Sequence, residues 1–423
     1  MSKYRFETLS IHGGYTPEAT THANVPPIYM TTAYSFDDVE HARRLFALEE
    51  GGNIYTRLQN PTNTAFEKRI SLLEGGVDAV AASSGHAAIT MALLTLCRQG
   101  DEVVSSTEIY GGAINLLDKT FARMGITVRF AEISEPESFA RLINDKTRAV
   151  FIESIGNPKA DIADIRAIAD IAHKSGIPLI VDNTFATPYL LKPIEHGADI
   201  VIHSTTKYLA GNGTSMGGAI VDSGNFEWKG NPRFTEFNEP DPSYHGVVYS
   251  DAFGRAAFAA RVRTQILRDI GACQSPFNSW VTMLGMETLA LRMERHSSNA
   301  LKVAEFLDKH PAIERVDYPG LKSSRYYELA KRYLPNGASG VFTFEIKGGR
   351  EAGARFVNRL KLFRIVANLG DARSMVSHPA TTTHSQLSDE QLVAAGISAS
   401  TIRLSIGLEN IGDIVEDLQQ ALS

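Results

Sequence analysis

The stretches IPLIVDN (residues 177–183) and DIVIHSTTK (199–207) decide the fold. Each carries an unbroken run of aliphatic residues that ends on small polar ones. A short apolar run without polar alternation marks a strand buried on both faces. The same pattern recurs upstream in DAVAASSG (78–85), DEVVSST (101–107), ITVRFAEI (126–133) and TRAVFIES (147–154), and downstream in GGAIVDS (217–223). Helical patterns stand between several of them: HAAITMALLTLC (86–97), GGAINLLDKTFARMG (111–125), ESFARLIND (137–145) and DIRAIADIAHKSG (164–176). TAFEKRISLLEGG (64–76) precedes the first and stops at paired glycines. Strands alternating with helices predict an α/β domain, a mostly parallel sheet with helices on both faces.

This unit is expected over residues 62–275. Residues 1–61 have little periodicity beyond DVEHARRLFAL (38–48) and read as an extended arm with one short helix. An arm with so little core of its own should lie on something else, such as a second subunit. Residues 222–265, rich in Pro, Gly, Asn and aromatics, form an irregular excursion that either closes over a site or lies on the surface. A long or broken helix from Phe277 then leads into a C-terminal α+β domain (276–423). Its strands are SGVFTFEIK (339–347) and STIRLSIG (400–407), and its helices lie in 349–361 and 411–423.

The chain has 423 residues with 42 Lys and Arg against 48 Asp and Glu, a net charge of −6. That balance argues against a nucleic-acid partner and for a small-molecule role. No apolar stretch suggests a membrane span and no apolar leader opens the chain. The two cysteines, Cys97 and Cys273, are far apart, which fits a reducing, cytoplasmic setting. No metal is expected. His378 and His384 have no companion Cys or carboxylate at ligand spacing, and neither a phosphate-binding P-loop nor a dinucleotide fingerprint is present.

Ligands of open α/β sheets sit beyond the carboxyl ends of the strands. Residues there are Gly85 and His86 at a helix start, Tyr110, Asn157, Asp182, Ser204, Thr206 and Lys207. Asp182 is either a turn residue or a carboxylate at a dry rim that needs a cationic partner. Lys207 is either a solvated surface lysine or an amine made nucleophilic by desolvation. Ser204, Thr206 and the amides of the Gly85 turn could hold an anion. Arg403, between Ile402 and Leu404 in an apolar strand, should face inward toward a partner.

These residues sit in motifs: YTRLQNPT, SSGHAA, YGG, ESIGNP, VDNTFATP, HSTTKYLAGNG and IRLSIGLE. Together they resemble the Cys/Met-metabolism family of fold-type I pyridoxal 5'-phosphate (PLP) enzymes, nearly end to end. LRDIGACQSPFN and NLGDARSMVSHPATTTHSQL are most similar to its branch of O-acetylhomoserine sulfhydrylases. The resemblance implies that Lys207 is the Schiff-base lysine and proton carrier, and that Asp182 partners the pyridinium nitrogen. Tyr110 would stack on the ring and assist acid–base steps. Gly85, His86, Ser204 and Thr206 would hold the phosphate, and Asn157 the phenolic oxygen. Tyr55 and Arg57 would reach the phosphate of a neighbouring subunit, making a dimer with shared sites and a homotetramer overall. Arg403 and Ser374, with Asn157 and Tyr55, would bind the substrate. The implied reaction is γ-replacement on O-acetylhomoserine by sulfide or a thiol, giving homocysteine or methionine and acetate in methionine biosynthesis. Methionine γ-lyase, cystathionine γ-synthase and O-succinylhomoserine sulfhydrylase are the alternatives. Ala113, Ile114 and Arg373 depart from the sulfhydrylase pattern near where substrate should bind.

Overall fold

A computed structural model describes residues 4–382 and 397–423. Seven strands form the larger sheet: β1 (Asp78–Ala82), β2 (Glu102–Ser106), β3 (Thr127–Ala131), β4 (Thr147–Glu153), β5 (Leu179–Asp182), β6 (Ile200–Ser204) and β7 (Gly218–Asp222). Their order is β1-β7-β6-β5-β4-β2-β3. β7 runs antiparallel to both its neighbours, and the remaining pairs are parallel. Six strands therefore end on one edge, which gathers Ala82, Ser106, Ala131, Glu153, Asp182 and Ser204. Every residue of β5 is buried and so is nearly all of β4 and β6, as the uninterrupted apolar runs require.

Local chemistry sets the ends of the first long helix, Pro61–Glu74. The Asn60 side chain accepts from the Thr62 N–H, Pro61 occupies the first turn, and Gly75 closes it at φ +85°. A second sheet has the order β10-β11-β12-β9-β8. It consists of β8 (Ile313–Asp317), β9 (Val341–Ile346), β10 (Arg364–Ile365), β11 (Met375–Ser377) and β12 (Thr401–Ser405). The long helical stretch is broken at Thr288 into Pro276–Glu287 and Leu289–Asp308. Its first half crosses the turn after Lys207 so closely that a Cβ on Gly285 would lie 2.3 Å from the Ala210 carbonyl oxygen. Arg292 fastens the crossing by donating to the carbonyls of Tyr208 and Gly285, each at 2.7 Å.

Two expectations need correction. The arm contains a second helix, Phe6–His12, docked through buried Leu9 and an edge contact between Phe6 and Tyr189 at 5.2 Å. The excursion is also shorter than 222–265. Asp222 completes β7, and from Ala257 the chain is helical to Ile270, with a wider π turn over Val262–Leu267. Phe258, Val262 and Leu267 supply its buried face.

The first part of the irregular segment, through Phe237, lies away from the carboxyl edge of the sheet, whereas Tyr244 follows the later helix to Arg268, 5.1 Å from its ring. Asn231 donates to the Gly176 carbonyl just before β5, and Arg233 donates to the carbonyls of Asn144 and Thr147 at the start of β4. Trp228 stacks between Phe237 at 4.4 Å and Phe258 at 5.7 Å. This first part caps the amino ends of β4 and β5. Among the described residues no helix is long and apolar enough to cross a membrane.

Candidate active site

The centre of the site is the turn that follows β6. Lys207 is half-buried, and its Nζ donates to Asn368 Oδ1 at 2.5 Å. Burial, and then the nearby Arg403 guanidinium, lower its pKa to about 8. An amine in that range is largely neutral in mildly alkaline solution, as a nucleophile or proton acceptor must be. Asn368 does not stand at a strand end. It lies on the loop before β11, and Gly370 (φ +71°) brings that loop against Lys207, so that a Cβ there would sit 2.9 Å from the Tyr208 nitrogen.

Asp182 ends β5 and is 9% exposed. Both hydrogen bonds from Thr184, N–H at 2.9 Å and hydroxyl at 2.5 Å, fall on Oδ1. Oδ2 has no protein donor among the described residues. Burial pushes this carboxyl up, against the Thr184 hydrogen bonds and the fields of His203 and His86. Thr184 also ties Asp182 to the next strand end, because its hydroxyl accepts from the Ser204 N–H at 2.8 Å.

The Gly85 turn is wedged against β6 and β7. A Cβ on Gly85 would meet Ser204 Cβ at 2.7 Å, and one on Gly218 would meet the Ser84 carbonyl oxygen at 2.2 Å. Ser84 caps the helix Gly85–Leu96 by accepting from the Ala87 N–H. The first-turn amides of that helix have no intrahelical acceptor and suit an anion. The Thr206 hydroxyl already exchanges hydrogen bonds with both the N–H and carbonyl of Gly217, so its capacity to hold an anion is shared. Tyr110 precedes the short helix Gly111–Asn115. Its ring is 49% exposed and meets His86 edge-on at 5.5 Å.

Arg403 comes from the second sheet, on β12 between Ser377 and Thr343. Its two terminal nitrogens donate to Asn157 Oδ1 and to the Asn368 carbonyl, each at 3.3 Å. Both acceptors are neutral, and no carboxylate lies within ion-pair distance among the described residues. Burial pulls the guanidinium below its usual pKa. A desolvated cation held by neutral groups is a receptor for an anion.

Ser374 is engaged elsewhere. Its N–H and hydroxyl donate to the Glu409 carboxylate at 2.6 and 2.9 Å, and its oxygen accepts from Gly407. It therefore fixes the loop, and Asn368 is the member of that loop that reaches Lys207 and Arg403. Tyr55 and Arg57 also stand outside the cluster. The Arg57 guanidinium lies 5.5 Å from the Tyr55 ring centre and donates to the Arg268 carbonyl. Among the described residues no hydrogen bond joins either one to Lys207, Asp182 or Arg403. His378 spends both ring nitrogens on Thr381 and the Ala399 carbonyl, and His384 lies outside the described residues.

The family model described as Cys/Met metabolism PLP-dependent enzyme matches residues 7–423. The chain is similar to a Leptospira meyeri protein named O-acetyl-L-homoserine sulfhydrylase, 51% identical over 99% of this chain and 97% of that protein. It is similar to a Schizosaccharomyces pombe homocysteine synthase, 50% identical over 99% of this chain and 98% of that one. A crystal structure from Campylobacter jejuni, described as an O-acetylhomoserine (thiol)-lyase, superposes with a TM-score of 0.95 at 45% identity. It covers 99% of this chain and 100% of its own, and carries N'-pyridoxyl-lysine-5'-monophosphate.

Proposed function

From the premise that this chain belongs to the family of Cys/Met metabolism PLP-dependent enzymes, we infer that it replaces the acetoxy group of O-acetyl-L-homoserine with sulfide. The products are L-homocysteine and acetate, and relatives of the chain carry names that fit this reaction. The observation that carries the reading is Arg403: a desolvated guanidinium without a counter-charge among the described residues, joined through Asn368 to a lysine of lowered pKa. That pair suits an amino acid, with its carboxylate on Arg403 and its Cα near the Lys207 amine.

The residues present fit pyridoxal phosphate. Lys207 offers a desolvated amine, Asp182 a buried carboxylate with one oxygen lacking a donor among the described residues, and the Gly85 turn with Ser204 an anion cradle. We propose that His86 and Thr206 complete that cradle and that Asn157 serves the phenolic oxygen. When bound, the cofactor supplies a sink for the electron pair left on Cα. Asp182 holds a proton on the ring nitrogen and keeps that sink effective. Arg403 and Asn157 fix the substrate carboxylate end, with Asn368 as the hinge between Arg403 and Lys207. Lys207 takes the Cα proton and then serves Cβ, so that the C–O bond at Cγ breaks, acetate departs with the bonding pair, and sulfide bonds to Cγ. Tyr110 carries protons on the exposed side. In this reading residues 62–275 hold the cofactor and residues 276–423 supply the carboxylate clamp.

We further propose that Tyr55 and Arg57 of residues 1–61 complete the site of a neighbouring subunit, in a dimer that pairs into a tetramer. Their separation from the Lys207 cluster and the 42% exposure of Tyr55 support this. Two free cysteines, one buried, suit the cytoplasm. The deciding assay supplies O-acetyl- and O-succinyl-homoserine with sulfide, methanethiol or cysteine, and methionine alone. Homocysteine and acetate are expected from the acetyl ester with sulfide. Fast release of α-ketobutyrate from methionine alone would overturn the transferase reading.

A further inference from the structure

Glu153 is a second buried carboxylate at the working edge, and the scheme above does not use it. It ends β4, in register with Asp182 at the end of β5. Register partners on parallel strands project to the same face, about 4.8 Å apart, so the two acids stand side by side. Glu153 is 7% exposed. Its carboxyl accepts from the Tyr110 N–H at 2.7 Å. Burial and the neighbouring Asp182 push it well above the usual carboxylate range, against the pull of the Tyr110 hydrogen bond.

Tyr110 needs such an anchor. It begins the helix Gly111–Asn115 without a side-chain cap. Its ring is half exposed and meets the edge of His86. It also folds back over the helix start, where a Cβ on Gly112 would lie 2.5 Å from the ring. The backbone from which the phenol hangs is thus tied to the sheet through the Glu153 carboxyl. We propose that Glu153 is a positioning residue, which holds the Tyr110 N–H from the strand end beside Asp182 and so sets the phenol relative to the Asp182 and Lys207 side chains. This rests on the role given to Tyr110 above. A carboxyl that keeps its proton here accepts with its carbonyl oxygen, and glutamine retains that oxygen.

The test compares Glu153→Met, which keeps length and apolar volume but removes the acceptor, with Glu153→Gln, which keeps the acceptor. Tyr110→Phe and the double variant Glu153→Met/Tyr110→Phe complete the cycle, all as holoenzyme. Measurements are kcat, KM for O-acetylhomoserine, and visible circular dichroism of the bound cofactor, which reports the asymmetry of the ring environment. Glu153→Met is expected to lower kcat by about tenfold to a hundredfold, with KM nearly unchanged and the dichroic band altered. Glu153→Gln should restore most of both. In the Tyr110→Phe background Glu153→Met should add little, because its effect passes through the phenol. If the double variant loses the full product of the two single losses, the proposal is overturned while the role of Tyr110 stands. If Glu153→Gln is as damaging as Glu153→Met, the acceptor is not what matters and the proposal fails. If Tyr110→Phe is itself harmless, the role of Tyr110 falls and the proposal with it.

Discussion

Truncation of Arg403 to alanine tests the site where two elements distant in sequence meet. The guanidinium reaches Asn157 Oδ1 and the Asn368 carbonyl at 3.3 Å each, long hydrogen bonds to neutral acceptors. A substrate carboxylate would replace or supplement them with charge-assisted bonds, each contributing about 1.5–3 kcal/mol. Two such bonds, less the cost of desolvating the carboxylate, leave about 2–4 kcal/mol, within the range for truncating one partner of a buried charge pair. At about 1.4 kcal/mol per decade this corresponds to roughly 30- to 700-fold weaker binding. The assay is a visible-band titration of holoenzyme with an unreactive amino acid and with the matching amino alcohol, which lacks the carboxylate. Arg403→Ala should lose affinity for the amino acid by that factor and bind the alcohol as the native protein does. Arg403→Lys should fall between, since it keeps the charge and loses the planar fork. Cofactor content should be unchanged. Loss of the cofactor, or equal loss of affinity for both ligands, would refute the assignment of Arg403 to the carboxylate.

Three further outcomes are expected. In cofactor-free protein, reductive alkylation of Lys207 by a small aldehyde, followed by mass spectrometry, should rise through about pH 8 as the neutral amine appears. Arg403→Ala should move that midpoint upward, because removing a neighbouring cation favours the ammonium form. Mixing equal amounts of Lys207→Ala and Arg57→Ala chains under subunit exchange should recover about a quarter of native activity if sites are shared across a two-fold dimer, since half the dimers are mixed and each has one intact site. No recovery despite exchange, followed by native mass spectrometry, would count against shared sites. Trp228→Ala should cost about 3–5 kcal/mol, as for other large-to-small changes at buried aromatics, because Trp228 is stacked between Phe237 and Phe258. Chemical denaturation would read that loss. With the Trp228 cluster at the amino edge of the sheet, kcat of the folded variant should stay native, and a large fall in kcat would mean that the cluster supports the site.

What the sequence disclosed depended on how each element is buried. β4, β5 and β6 lie in the middle of a mostly parallel sheet, so their composition alone announced them. β8 was not legible: IERVD exposes Glu314 and Arg315 between buried Ile313 and Val316, and the charges hide the strand. β10 is only Arg364–Ile365, both exposed, and exists by pairing with β11. The helix Phe6–His12 owes its place to tertiary contacts, and a seven-residue helix has little intrinsic stability of its own. The site divides along the same line. Lys207, Asp182 and Ser204 follow apolar runs, so position alone made them candidates. Asn368 follows only the exposed two-residue strand β10, and its closeness to Lys207 comes from a loop turning at Gly370. Its one local sign was the Asn-Leu-Gly-Asp stretch, whose glycine marks a turn without saying what the turn meets. Ser374 shows the converse. It shares that loop and has a chemistry suited to carboxylate binding, yet Glu409, thirty-five residues on, takes its N–H and hydroxyl. A residue type at a motif position specifies what a side chain can bond, and the packing of the second sheet against the first decides what it does bond.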